Sequence, residues 1–154
     1  MSITKDLTKR NTNTKIYNMK KKKQLKKYVY RANLIRIVDG DTVNAFIDVG
    51  FNIHTKISLR LEGIDCPESR TTNLEEKEHG KRAKAFLMDL LPNRFKITSH
   101  SVDKYGRGLA TLWTLDADGN TINVNKEMIK SGNAIRYTGK TKVDYDINNY
   151  TITE

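Results

Sequence analysis

The sequence predicts a mostly β fold with helices packed on it (α+β), a five-stranded antiparallel barrel carrying one longer and one short helix. Three observations lead there. Runs rich in β-branched and aromatic residues alternate apolar with polar side chains, the period of a half-buried strand. Turns rich in Gly, Asp and Asn join most of these runs, too short for the crossover helix that a parallel pair needs. The apolar repeat changes to three- and four-residue spacing over only one long segment. A chain of 154 residues suits one domain with one sizeable core.

The elements follow in order. Tyr28 to Val38 reads as a strand, and Asp39-Gly40-Asp41 turns the chain. Val43, Ala45, Ile47 and Val49 alternate with polar residues in a second strand, followed by a turn at Gly50 to Asn52. Ile57, Leu59 and Leu61 give a third, on which Arg60 faces away from the apolar row. Gly63 to Asn73 is irregular. From about Glu75, Ala83, Phe86, Leu87, Leu90 and Leu91 form one helical stripe that Pro92-Asn93 ends. Phe95, Ile97 and Ser99 begin a fourth strand, and Leu109 to Leu115 makes a fifth. Asp118-Gly119 signals a hairpin turn, with a short return strand at Ile122 and Val124. Val124, Met128 and Ile129 suit a short helix closed by Gly132. Residues 138–154 lack periodicity and predict a loose polar tail. Strands on short turns with helices packed against them point to an OB-like barrel.

Charge divides the chain into an arm, residues 1–28, a barrel domain, residues 29–140, and a tail, residues 141–154. The net charge is +10, and residues 1–28 carry ten basic residues and one acid. The remainder is nearly neutral, with 18 basic and 17 acidic residues. Such an arm stays solvated and binds polyanions weakly, so it is either a solubilising leader or a nucleic-acid tether. Met19 stands just before the lysine run and is an alternative start. The single Cys66 excludes an intrachain disulfide framework and a four-cysteine zinc site. No apolar run is long enough for a spanning helix, and no apolar core of a secretory signal follows Met1. A monomeric, cytoplasmic protein with no membrane partner is expected.

Three segments could carry chemistry: Asp39-Gly40-Asp41-Thr42, Arg60 to Glu68, and Asp103-Lys104-Tyr105-Gly106-Arg107-Gly108. Each alone is an ordinary turn or loop. Together they place carboxylates Asp41, Asp65 and Glu68 and arginines Arg60 and Arg107 at strand ends, where loops at one end of a barrel converge. Clustered carboxylates call for a cation, and carboxylate and carbonyl oxygens suit calcium or magnesium. Arginines supply planar, permanently charged donors for phosphate oxygens. A metal, a spare carboxylate and two arginines are the parts needed to hydrolyse a phosphodiester.

In this order the segments resemble the staphylococcal nuclease (thermonuclease) family, from about Tyr30 to about Tyr137: the D-G-D-T turn, R-L-x-x-x-D-x-P-E, a G-x-x-A-x-x-F helix and the D-K-Y-G-R-G loop. The resemblance implies an OB-fold barrel and calcium-dependent cleavage of DNA and RNA to 3′-phosphate ends. By position it implies one Ca2+ ion held by Asp41, Asp65 and the backbone carbonyl of Cys66, which replaces the usual threonine. Asp39 matches a carboxylate behind the ligands, and Glu68 the residue that activates water. Arg60 and Arg107 match the phosphate-holding arginines, Lys104 and Tyr105 line the nucleotide pocket, and Tyr137 aligns approximately with a tyrosine of that pocket. Against the longer family members, the segment from Asp41 to Arg60 is extended around Gly50-Phe51-Asn52, and the long third helix is missing.

Other features read as structural. Asp116, Asp118, Asn120 and Glu127 imitate an EF-hand loop, but Thr121 stands where its glycine belongs. His54, His79 and His100 lack metal-ligand spacing and are expected on the surface or in loops. Trp113 is expected in the core, and Lys77, Lys81, Arg82 and Lys84 on a solvated helix face. The competing readings are a catalytically weak nucleic-acid-binding or protein-interaction module on the same barrel, and a single-strand binder gripping by aromatic stacking. Aromatic content of only 8% weighs against the last.

Overall fold

The computed structural model describes residues 28–154, so the basic arm lies outside the described residues apart from Tyr28. Eight strands and two α-helices follow in the order β1 (Val29–Asp39), β2 (Thr42–Asp48), β3 (His54–Leu61), β4 (Ile64–Asp65), α1 (Leu74–Leu90), β5 (Arg94–Val102), β6 (Gly108–Leu115), β7 (Thr121–Asn123), α2 (Val124–Lys130) and β8 (Ile135–Arg136). The main sheet runs β3-β2-β1-β5-β6-β7 and closes through β3–β6 pairing, which makes β1, β2, β3, β6 and β5 a five-stranded barrel. This is the predicted barrel with one correction. The closing pair, Leu59 opposite Gly108 to Leu61 opposite Ala110, is parallel. The chain between β3 and β6 contains α1 and β5, ample length for the crossover that a parallel pair requires.

Alternation builds the core. Val43, Ala45 and Ile47 on β2, Leu59 and Leu61 on β3, Phe95 and Ile97 on β5, and Ala110 and Leu112 on β6 point inward and are buried. α1 adds Ala83 and Leu87, with Leu91 just beyond it, and α2 adds Val124 and Met128. Both helices start on an asparagine cap. Asn73 Oδ1 accepts from Glu76 N–H at 3.1 Å, and Asn123 Oδ1 from Lys126 N–H at 3.1 Å.

The structure corrects four further expectations. The irregular stretch after Gly63 contains β4, which pairs with β8. Residues 138–154 are not loose. Tyr150 and Tyr145 pack their rings on His79, Thr153 N–H donates to Lys130 O at 2.9 Å, and Ser131 bridges Ile152. His79 is accordingly buried in α1, its ring nitrogens 2.9 Å from Gly132 O and 3.1 Å from Tyr145 Oη. Trp113 is half-buried on the outside of the barrel, since its neighbour Leu112 takes the inward position. The EF-hand imitation is a turn, as expected: Asp116 Oδ1 accepts from the N–H groups of Asp118 and Asn120.

Candidate active site

The three motif segments meet at one end of the barrel. β1 ends at Asp39, and Gly40-Asp41 turns into β2. β3 delivers Arg60 beside that turn, because Arg60 is the register partner of Thr42 and Leu61 N–H donates to Asp41 O at 2.8 Å. The parallel closure brings the start of β6, and with it the Asp103–Arg107 turn, alongside β3. A cavity of about 440 Å3 lies between them. Asp39, Asp41, Arg60, Asp65, Cys66, Glu68, Lys104, Tyr105, Arg107 and Tyr137 all line it. Every residue that the family resemblance assigns to the site therefore lines one cavity.

Close packing of α1 sets the position of the segment bearing Asp65 and Glu68. A Cβ on Gly80 would stand 2.7 Å from the backbone carbon of Glu68 and 2.7 Å from Ser69 N. A Cβ on Gly40 would stand 2.9 Å from the Ala83 Cβ and 3.1 Å from Cys66 Sγ. The glycine and alanine of the G-x-x-A helix motif thus let the helix lie directly against the two loops that carry carboxylates. On the far side, buried Asn125 ties down the chain where it leaves β3. Its Oδ1 accepts from Leu112 N–H at 3.0 Å, and its Nδ2 donates to Glu62 O at 2.9 Å and Ala110 O at 3.0 Å.

The inner end of the cavity is an arginine between two carboxylates. Arg60 Nη2 donates to Asp65 Oδ1 at 2.7 Å, while Nη1 lies against Asp41 Oδ2 without a well-angled hydrogen bond. Asp41 is buried, accepting from Cys66 N–H at 3.0 Å and from Thr42 Oγ1–H at 2.9 Å. Burial works against the Arg60 charge, but the adjoining Asp41 and Asp65 outweigh it and hold the guanidinium protonated. Burial raises the Asp65 pKa, the charge of Asp41 adds to the rise, and Arg60 opposes it. Burial also pushes the Cys66 thiol well up, so it is held neutral and offers the site its main chain.

The outer end is more open. Glu68 pairs with Lys142, and its N–H donates to Glu76 Oε1 at 3.1 Å. Asp39 accepts from Ser69 Oγ–H. Asp103 grips Arg107 twice, from backbone N–H to Oδ1 at 2.9 Å and from Nε to Oδ2 at 2.7 Å. The Tyr105 ring lies 5.1 Å from Lys104 Nζ and 5.4 Å from the Arg107 guanidinium carbon, within cation–π range.

Among the described residues no three His, Cys, Asp or Glu side chains converge as a ready-made metal cage. The donor set nonetheless fits a hard cation that completes its shell with water and substrate oxygens. Two carboxylates, Asp41 and Asp65, share the cavity with the Cys66 main chain. Burial first, and the neighbouring Asp41 charge after it, disfavour the ionised form of Asp65, and a divalent charge would offset both.

Sequence reasoning missed four contributors. Lys140 and Lys142 line the cavity from a segment with no periodicity to read. Asn125 has no motif. Asp103 opens the D-K-Y-G-R-G loop, and its i,i+4 relation to Arg107 is the sequence signal for the clamp.

A model of the staphylococcal nuclease homologue family matches residues 58–153. The thermonuclease of Staphylococcus hyicus is 34% identical over 83 residues, 52% of this chain and 46% of that protein. A probable endonuclease, LCL3 of Saccharomyces cerevisiae, is 31% identical over 91 residues, 58% of this chain and 33% of that protein. The matches thus span less than half the length of these curated relatives. No helix among the described residues is long and apolar enough to cross a membrane.

Proposed function

The chain belongs to the staphylococcal nuclease homologue family, and from that premise we propose that it is a calcium-dependent nuclease hydrolysing phosphodiester bonds of DNA or RNA. The observation that carries this reading is the meeting of Asp41, Arg60, Asp65, Glu68 and Arg107 in one cavity from three distant segments. Glu68 is held by neither arginine; its partner is the exposed Lys142 at the open side of the cavity.

In this reading Asp41, Asp65 and the carbonyl of Cys66 would hold a Ca2+ ion, with Asp39 behind them, and the chemistry gained when it is bound would be Lewis-acid polarisation of the phosphate. Glu68, on the open side, takes the proton of the attacking water, a role worth roughly 10²–10⁴ in rate. Arg60 and Arg107 donate to the phosphate oxygens on which charge grows in the transition state. Asp41 and Asp65 already hold Arg60, and Asp103 holds Arg107, so little reorganisation is needed when substrate binds. Lys104, Tyr105 and Tyr137 flank the nucleotide. Departure of the 5′ oxygen leaves a 3′-phosphate end, as the family likeness implies.

The test is hydrolysis of a labelled oligonucleotide by Glu68→Gln and Arg60→Lys variants. Glu68→Gln keeps size and polarity and should lose about 10²–10⁴ in single-turnover rate with unchanged far-UV circular dichroism. Undiminished turnover in both variants overturns the mechanism.

A further inference from the structure

A second cavity, about 630 Å3, lies on the outer face of the sheet and shares no lining residue with the first. A single cross-strand row runs through it. Asp48 on β2 pairs with Arg31 on β1, Arg31 with Lys96 on β5, and Lys96 with Trp113 on β6. Side chains paired in this way sit about 5 Å apart. Their neighbours Ala32, Ile97 and Leu112 point into the core, so this row points out. Arg94 lies two residues from Lys96, and therefore on the same face, as does Leu115 beside Trp113. Arg31, Arg94 and Lys96 are exposed and form no ion pair among the described residues. The acid in the row, Asp48, accepts from Gly50 N–H at 2.9 Å. The Trp113 ring is fixed, its Nε1–H donating to Thr98 Oγ1 at 3.0 Å.

We propose that this groove binds single-stranded nucleic acid as a tract separate from the active site, the backbone following Arg31, Lys96 and Arg94 and a base stacking against Trp113. Unpaired cations beside a fixed indole are the two components of single-strand binding. A duplex keeps its base faces stacked on one another and gives the indole nothing to cover. The chain's own leader is no candidate occupant: residues 1–28 carry ten basic residues and one acid, and three further cations repel them. The tract does not depend on the cleavage reading, since binding needs no metal.

Trp113 is the chain's single tryptophan, so its fluorescence reports on the groove directly. Full-length protein in excess chelator is titrated with a short labelled oligothymidylate, and fluorescence and label anisotropy are read together. Binding should quench Trp113. Arg31→Gln, Arg94→Gln and Lys96→Gln combined should weaken binding at least tenfold. They should also flatten the dependence of log affinity on log salt by about 2, at roughly 0.7 per phosphate. Trp113→Ala should cost about tenfold and Trp113→Phe less. Should Trp113→Ala not fold, the triple variant alters only exposed side chains and keeps the test. Three results overturn the proposal: anisotropy rises without quenching, the triple variant binds as wild type does, or polyglutamate binds and quenches as well as the oligonucleotide, which would make the groove a protein site. Because the chelator removes cleavage from the measurement, a chain that binds here but never cuts contradicts the proposed activity and leaves the tract standing.

Discussion

The two cavities use charge in opposite ways. In the candidate active-site cavity the central charges have partners: Arg60 with Asp41 and Asp65, Arg107 with Asp103, Glu68 with Lys142. In the outer groove Arg31, Arg94 and Lys96 have none among the described residues. Pairing fixes where a charged group points, which chemistry on a small phosphate centre demands. Lone cations on long flexible stems suit a polyanion whose charges are strung out and need no single geometry. A chain nearly neutral outside its arm thus carries two charged cavities, one whose charges are fixed by partners and one whose cations are unpaired among the described residues.

Preorganisation matters most at the arginines, so Arg60→Lys or Arg107→Lys, which keep charge but lose the planar fork, should lower kcat by about 10²–10³. Asp103→Asn keeps Arg107 but loosens its clamp. It should cost less, up to about 10², measured by the same assay. Gly80→Ala tests how the carboxylate loop is held. Alanine ordinarily stabilises a helix, but here its Cβ meets the Glu68 and Ser69 backbone at 2.7 Å, so urea titration should show a loss of about 1–3 kcal/mol together with lowered activity. In the groove, Arg31→Gln, Arg94→Gln and Lys96→Gln alter exposed side chains and should each leave urea stability within about 0.5 kcal/mol of wild type.

A smaller effect concerns the packed C-terminal segment. Burial lowers the His79 pKa below its ordinary 6.5. In the window between the folded value and 6.5 the unfolded chain binds the extra proton, so folding stability falls as pH drops through it. Urea midpoints measured at neutral pH and down through that window should converge between wild type and His79→Gln as the pH falls. A constant difference would mean that the ring does not titrate there.

Much of the barrel was legible because its signals are local. Alternation located β2, β3 and β5, Asp-Gly turns separated the strands, and Asn73 and Pro92 bracket α1. The motif segments were legible for the same reason, and their order implied one end of the barrel. What stayed hidden depends on contacts far apart in sequence. His79 meets Tyr145 across 66 positions, and Asn125 reaches Glu62 across 63, so no window contains both partners. Trp113 was misplaced for a different reason. On β6, Leu109, Trp113 and Leu115 on one face are as apolar as Ala110 and Leu112 on the other, so period alone does not choose the inward face. The parallel closure is not legible in the turns, because the connection that permits it is the long stretch containing α1 and β5.

Whether the cavity between Asp41 and Arg107 hydrolyses phosphodiesters is decided by incubating the full chain with plasmid DNA and with RNA, in calcium and then in excess chelator, and analysing the product ends. Cleavage that calcium supports and chelation abolishes, leaving 3′-phosphates, is the predicted result. Intact nucleic acid in both conditions, or cutting that the chelator leaves unchanged, would contradict it.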